Sequence, residues 1–194
     1  MTLTTIDPRP ALVVIDLQKG IVSALGDPAV TDVVKHATRL ATAFRRHSLP
    51  VVLVNVTGRA PGRTESGQAG GGRPGSGTAA LPTGWADLVD ELDVQPADHL
   101  ITKRRRSAFH DTGLDTLLRD LGVTQIVLAG ISTGSGVEST ARSGSDHGYH
   151  VVLATDAMTD PDAEAHRHSV ERVFPKIGET ATTAEVIDKV EATR

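Results

Sequence analysis

The 194-residue chain contains no cysteine. That excludes a disulfide scaffold, a thiolate nucleophile and any cysteine-ligated metal. Positive charge is not in excess: 20 Lys and Arg stand against 24 Asp and Glu, for a net charge of −4. Neither nucleic acid nor an anionic membrane is therefore expected as a partner. No apolar run is long enough to span a bilayer. The N-terminus, MTLTTIDPRP, lacks a basic segment followed by an apolar one, so no signal peptide is expected and the cytoplasm is the default location. What remains is a soluble composition, 39% hydrophobic and 23% charged, and a length that favours one domain over residues 1–194.

Four short, β-branched, nearly continuous apolar segments read as parallel strands covered on both faces: Ala11–Ile15, Val51–Val56, Gln125–Ala129 and Val151–Ala154. His99–Thr102 reads as a fifth, and a weaker sixth falls near Glu179–Thr180. Helical spacing runs through Ala29–His47, with Val30, Val33, Val34, Ala37, Leu40, Ala41 and Phe44 on one face. Leu114–Leu121, Val137–Gly148 and Asp162–Phe174 follow, the last behind Asp160 and Pro161 as N-cap and first-turn residue. Thr182 and Glu185 have capping-box spacing for a final helix. Alternating strands and helices predict an α/β fold, a single three-layer αβα domain around a mostly parallel sheet. Ligands in such sheets bind outside the carboxyl ends of the strands. One stretch breaks the alternation: 58–84 is rich in Gly, Pro and Ser and lies beyond a strand end, as an active-site lid or a flexible surface loop.

Asp16 closes the first strand, where a carboxylate serves as a general acid or base, or merely caps a turn. Lys103 follows the His99–Thr102 strand. It can orient a carboxylate substrate or tune Asp16 by charge, or stand solvated in the run Lys103-Arg104-Arg105-Arg106. Gly130–Val137 joins a strand to a helix, and backbone N–H groups at a helix start form a natural anion or oxyanion site. Its glycines do not have dinucleotide-loop spacing and no Walker A pattern is present, so no cofactor is expected. Ser132 and Ser135 are nucleophiles only if a base is paired with them, and otherwise turn residues. Gln18, Asn55 and Phe109 lie just beyond or at strand exits as candidate substrate contacts. His166 and His168, two apart on a helix, share no face and read as surface or packing residues; no other cluster has ligand spacing, so no metal is expected.

The segments ALVVIDLQKGI, HLITKRRRSAFHDT, VLAGISTGSGVESTAR, HGYHVVLATDAMTD and EAHRH, in that order between Ala11 and Pro175, together resemble the isochorismatase-like (cysteine hydrolase) superfamily. The resemblance implies a six-stranded central sheet flanked by helices and a small-molecule hydrolase that assembles as a homo-oligomer, dimer or tetramer. Common members use an Asp, a Lys and a Cys; Asp16 and Lys103 match the first two. The cysteine position falls on Gly136, which has no side chain, so a thioester route is closed. The family's cis peptide maps onto Ile131–Ser132, and Ser132 and Gly136 onto its oxyanion site. The nicotinamidase branch carries a metal-binding D-x-H-x-H after the second strand, where this chain reads Asn55-Val56-Thr57-Gly58-Arg59.

The sequence is compatible with three functions. One is hydrolysis without a covalent intermediate, by Asp16 and Lys103, as in the cysteine-free vinyl-ether hydrolases of the superfamily. That route needs a protonated Asp16, which an apolar setting favours and a nearby Lys103 opposes. The second is an amide or ester hydrolase using Ser135 or Ser132. The third is a catalytically inactive binding protein of the same fold.

Overall fold

The structure, a computed structural model, describes residues 3–26, 28–58 and 81–193. Residues 59–80, most of the 58–84 stretch, lie outside these. Six strands form one parallel sheet: β1 (Pro10–Ile15), β2 (Val51–Val56), β3 (His99–Lys103), β4 (Gln125–Ile131), β5 (His150–Thr159) and β6 (Glu179–Ala181). Their spatial order is β3-β2-β1-β4-β5-β6. The helices are α1 (Lys19–Leu25), α2 (Pro28–Arg46), α3 (Leu114–Asp120), α4 (Glu138–Asp146), α5 (Ala163–His168) and α6 (Thr183–Ala192).

The unbroken apolar runs have a direct cause: every residue of β1 and of β4 is buried. Alternate side chains feed two cores. Leu12 and Val14 pack with Val33, Ala37, Leu40 and Phe44 of α2 and Val186 and Val190 of α6. Val13 and Ile15 pack with Leu114 and Leu118 of α3, Ala141 of α4 and Phe174. Each large side chain so buried contributes about 1.5–3 kcal/mol. This is the three-layer arrangement expected. The chain leaves β1 toward β2 and β3, then crosses to β4 on β1's other side. The order therefore reverses between β1 and β4, and a crevice opens at their carboxyl ends.

Local differences from the sequence reading have physical reasons. The cap of α5 is Asp162, not Asp160: Asp162 Oδ1 accepts from the N–H groups of Glu164 (2.9 Å) and Ala165 (3.3 Å). Asp160 instead accepts from Gly134 N–H (2.8 Å), tying this loop to the turn after β4. The expected helix over Asp162–Phe174 is α5 followed by a π-helical turn, Ser169–Val173, and a 3-10 turn, Phe174–Lys176. Another π-helical turn, Thr133–Val137, precedes α4. β5 runs past Ala154 to Thr159 because the register shifts between Leu128 and Gly130, so that Gly130 and Ile131 pair with Met158 and Thr159. The polar composition of 155–159 hides that extension. The Thr182–Glu185 capping box forms as the spacing predicts.

Candidate active site

Asp16 is the first residue after β1. Its N–H still donates to Val54 O (2.8 Å), but its backbone turns to φ 55°, unusual for a residue with a side chain. Lys103 ends β3, two strands away. The two side chains meet: Lys103 Nζ lies 2.7 Å from Asp16 Oδ2, with Asp16 5% and Lys103 3% exposed. Lys103 Nζ also donates to Arg105 O (3.2 Å). Asp16 Oδ1 is buried and has no hydrogen-bond partner among the described residues. Burial pushes the Asp16 carboxyl up to about 6, and the charge and hydrogen bond of Lys103 pull it down by less. The opposition seen in the sequence is thus decided by burial. Among the described residues, no group of three His, Asp or Glu side chains is arranged to hold a metal ion, and no helix is long and apolar enough to cross a membrane.

The turn after β4 forms the facing wall. The Ile131–Ser132 peptide is cis. Ser132 O accepts from the N–H groups of Ser135 and Val137, both at 3.1 Å, which coils the chain toward α4. Gly136 abuts the carboxylate: a β-carbon there would lie 3.3 Å from Asp16 Oδ2 and 3.0 Å from Ile15 Cγ2. Thr140, fully buried, donates to Gly136 O (2.7 Å) and accepts from Ala108 N–H (3.0 Å). It therefore couples the Gly136 turn to the segment after Lys103. Thr133, also fully buried, lies 2.9 Å from His166 Nδ1, so His166 holds the turn rather than merely decorating a surface. Sequence spacing carries no sign of either contact, because the partners are 32 and 33 residues apart.

The other candidates occupy varied places. Gln18 is fully buried and bonded to backbone: Oε1 accepts from Val56 N–H (2.8 Å), and Nε2 donates to Val56 O and Trp85 O, both 3.2 Å. It clamps the exit of β1 to that of β2. Asn55 donates to Ala86 O (2.9 Å) and accepts from Thr102 Oγ1 (2.8 Å). Phe109 stacks on His147, ring centroids 5.0 Å apart, and packs by Gly144. Gly144 lies about 12 Å along the helix from Gly136, so Phe109 is set back from the Asp16–Lys103 pair. Neither the Ser132 nor the Ser135 hydroxyl is hydrogen-bonded to Asp16 or Lys103 among the described residues.

Known proteins of similar sequence and structure place the chain in a family. The isochorismatase domain model matches residues 10–185. The chain belongs to the isochorismatase family. It is 39% identical over 188 residues to the uncharacterized isochorismatase family protein YwoC of Bacillus subtilis, covering 94% of each chain. It is 32% identical over 193 residues to the ureidoacrylate amidohydrolase RutB of Methylobacterium radiotolerans, covering 87% of this chain and 74% of that one. A solved isochorismatase family protein from Burkholderia thailandensis superposes with a TM-score of 0.87 at 38% identity, covering 96% of this chain and 98% of the other.

In this isochorismatase-family chain the Asp16–Lys103 pair has a measurable signature. Lys103→Met removes the cation that lowers the Asp16 pKa and leaves burial acting alone. The Asp16 carboxyl then titrates above its wild-type value of about 6, read by 13C NMR of the labelled carboxyl carbon. A downward shift in the variant contradicts the pairing.

Proposed function

We propose that this protein is a hydrolase of a small molecule, in which protonated Asp16 delivers its proton to the scissile group without a covalent intermediate. The observation that supports this most is the state of Asp16: a carboxyl held up to about 6, with one oxygen on Lys103 and the other buried and unpartnered. A group titrating near neutrality both gives and regains a proton readily. Gly136, directly beside it, places no side chain against the carboxyl.

For a vinyl ether, the Asp16 proton goes to the terminal alkene carbon and leaves an oxocarbenium ion. Water adds to that cation and returns a proton to the Asp16 carboxylate. The hemiketal then breaks its C–O bond to release a ketone and an alcohol. Lys103 holds the carboxylate form of Asp16 between these steps.

The resemblance to an enzyme named as an amidohydrolase favours a second reading, hydrolysis of an amide or ester. Here a serine nucleophile has the weaker support, because neither Ser135 nor Ser132 is bonded to a base. Screening purified protein against vinyl ethers, amides and esters tests the proposal. The expected result is hydrolysis of a vinyl ether, with carbonyl product released in step with substrate loss. Silence across all three classes overturns it. Amidase activity gained only in Gly136→Cys then marks a binding protein that kept the fold without the chemistry.

A further inference from the structure

The turn that carries Gly136 is held from behind by a separate part of the chain. Three side chains between Asp160 and Ser169 reach it. Asp160 Oδ2 accepts from Gly134 N–H (2.8 Å). His166 Nδ1 lies 2.9 Å from Thr133 Oγ1. Ser169, itself buried, donates to Oε2 of Glu138 (2.6 Å), the first residue of α4. α5 lies close on the turn: a β-carbon on Gly134 would stand 3.3 Å from Ala165 Cβ and 3.4 Å from Asp160 Oδ2. These contacts join the two π-helical turns among the described residues, Thr133–Val137 and Ser169–Val173. Such turns are rare and occur often at functional sites.

Of the three contacts, that of His166 goes deepest. Thr133 is fully buried, and its hydroxyl has no other hydrogen-bond partner among the described residues. Without the imidazole that hydroxyl is left unpaired away from water, which is costly enough to make the turn rearrange. Gly136 lies three residues further on and stands directly against Asp16. A shift at Thr133 is therefore passed along one short coil to the backbone beside the acid.

We propose that His166 is a positioning residue for the Asp16 site: through Thr133 it holds the Thr133–Val137 turn against the carboxyl and so keeps water from it. This rests on the reading of Asp16 as the working acid and names a residue that sets its surroundings. The contact needs one proton between its two atoms. An imidazole protonated at Nε2 alone accepts from the hydroxyl, and an Nδ1–H donates to it. Asparagine places a polar atom where Nδ1 stands, whereas alanine places none.

The test is the titration of Asp16, followed by 13C NMR of its labelled carboxyl carbon in the full-length protein and its variants. Burial is the largest influence holding this carboxyl up to about 6, so a turn that loosens and admits water lets it titrate lower. His166→Ala and Thr133→Val are both expected to titrate below the wild type. Thr133→Val removes only the hydroxyl and reads the same bond from the other side. His166→Asn is expected to restore the wild-type value. Lys103, the charged partner of Asp16, is the same in every variant. Loss of positive charge from His166 would raise the Asp16 value, so a fall reports solvent and not charge. His168→Ala, an exposed histidine on the same helix, leaves Asp16 where it was. Combining His166→Ala with Thr133→Val lowers the value no further than either alone, because both remove one bond. An Asp16 titration unmoved or raised in the two single variants overturns the proposal, as do additive shifts in the double variant or an equal fall in His168→Ala. The two readings fail separately. If Asp16→Asn keeps turnover while Asp16 titrates lower in His166→Ala, the proton-donor role falls and the positioning role stands. If Asp16→Asn is inactive and Asp16 titrates unchanged in His166→Ala and Thr133→Val, the reverse holds.

Discussion

Asp16→Asn lowers kcat by about 10²–10⁴-fold, the worth of a positioned general acid, while the fold is kept. The asparagine amide fills the same space and its oxygen still accepts from Lys103, so shape and one hydrogen bond survive and only the transferable proton is lost. Turnover that persists in this variant sinks the mechanism. The substitution also reads the acid's environment through stability. Asp16 is raised from an ordinary 3.8 to about 6 in the folded chain. Between those values the native state holds a proton that the unfolded state has released. The stability linked to this group is therefore complete below about pH 4 and is lost as pH rises through about 6, on the order of 3 kcal/mol at most. Urea titrations across this window show the wild type losing stability relative to Asp16→Asn as pH rises. A flat difference between the two proteins contradicts a buried, raised carboxyl.

Gly130→Ala strongly destabilises the protein. Gly130 sits near the end of β4 with φ 121°, a conformation that a side chain strongly disfavours. A β-carbon there would lie 2.0 Å from Ile15 O, which is backbone of the neighbouring central strand and has nowhere to move. Accommodating it means separating β1 from β4 at the crevice that holds Asp16. We expect a loss of about 4 kcal/mol or more, against a total stability of roughly 5–15 kcal/mol. Gly148→Ala is the control: φ is 85° there too, but nothing lies within 4 Å of the added carbon. It costs only about 1–2 kcal/mol for the left-handed backbone. Soluble yield and melting temperature separate the two variants, and equal behaviour contradicts the close strand approach at Gly130.

The strands were legible because burial on both faces leaves an apolar run with no polar interruption, as in Ala11–Ile15 and Gln125–Ala129. α2 was legible because one face of nineteen residues meets the core at helical spacing. Where structure depends on polar contacts between distant segments, the pattern gave out. The extension of β5 through 155–159 follows a register shift in its neighbour. Asp160 was expected as a cap, yet it serves the turn after β4, because Gly134 N–H comes within its reach only once the chain is folded. Gln18 and Asn55 were picked out by their place at strand ends; the Gln18 amide is bonded to backbone and the Asn55 amide to backbone and the Thr102 hydroxyl, which position alone does not reveal.

By itself the sequence determined the layered α/β class, the family, the absence of a thiol, and the candidacy of Asp16, Lys103 and Gly136. These follow from residue type, apolar periodicity and motif order, all of which are local properties of the chain. Only the tertiary structure decided that Asp16 and Lys103 share a buried ion pair, that burial outweighs the lysine in setting the acid, and that Gly136 stands directly against the carboxylate. Those are matters of distance and solvent exclusion between residues 87 or more positions apart. Packing β1 between β2 and β4 brings them together, and a glycine without a side chain stands against a poised acid.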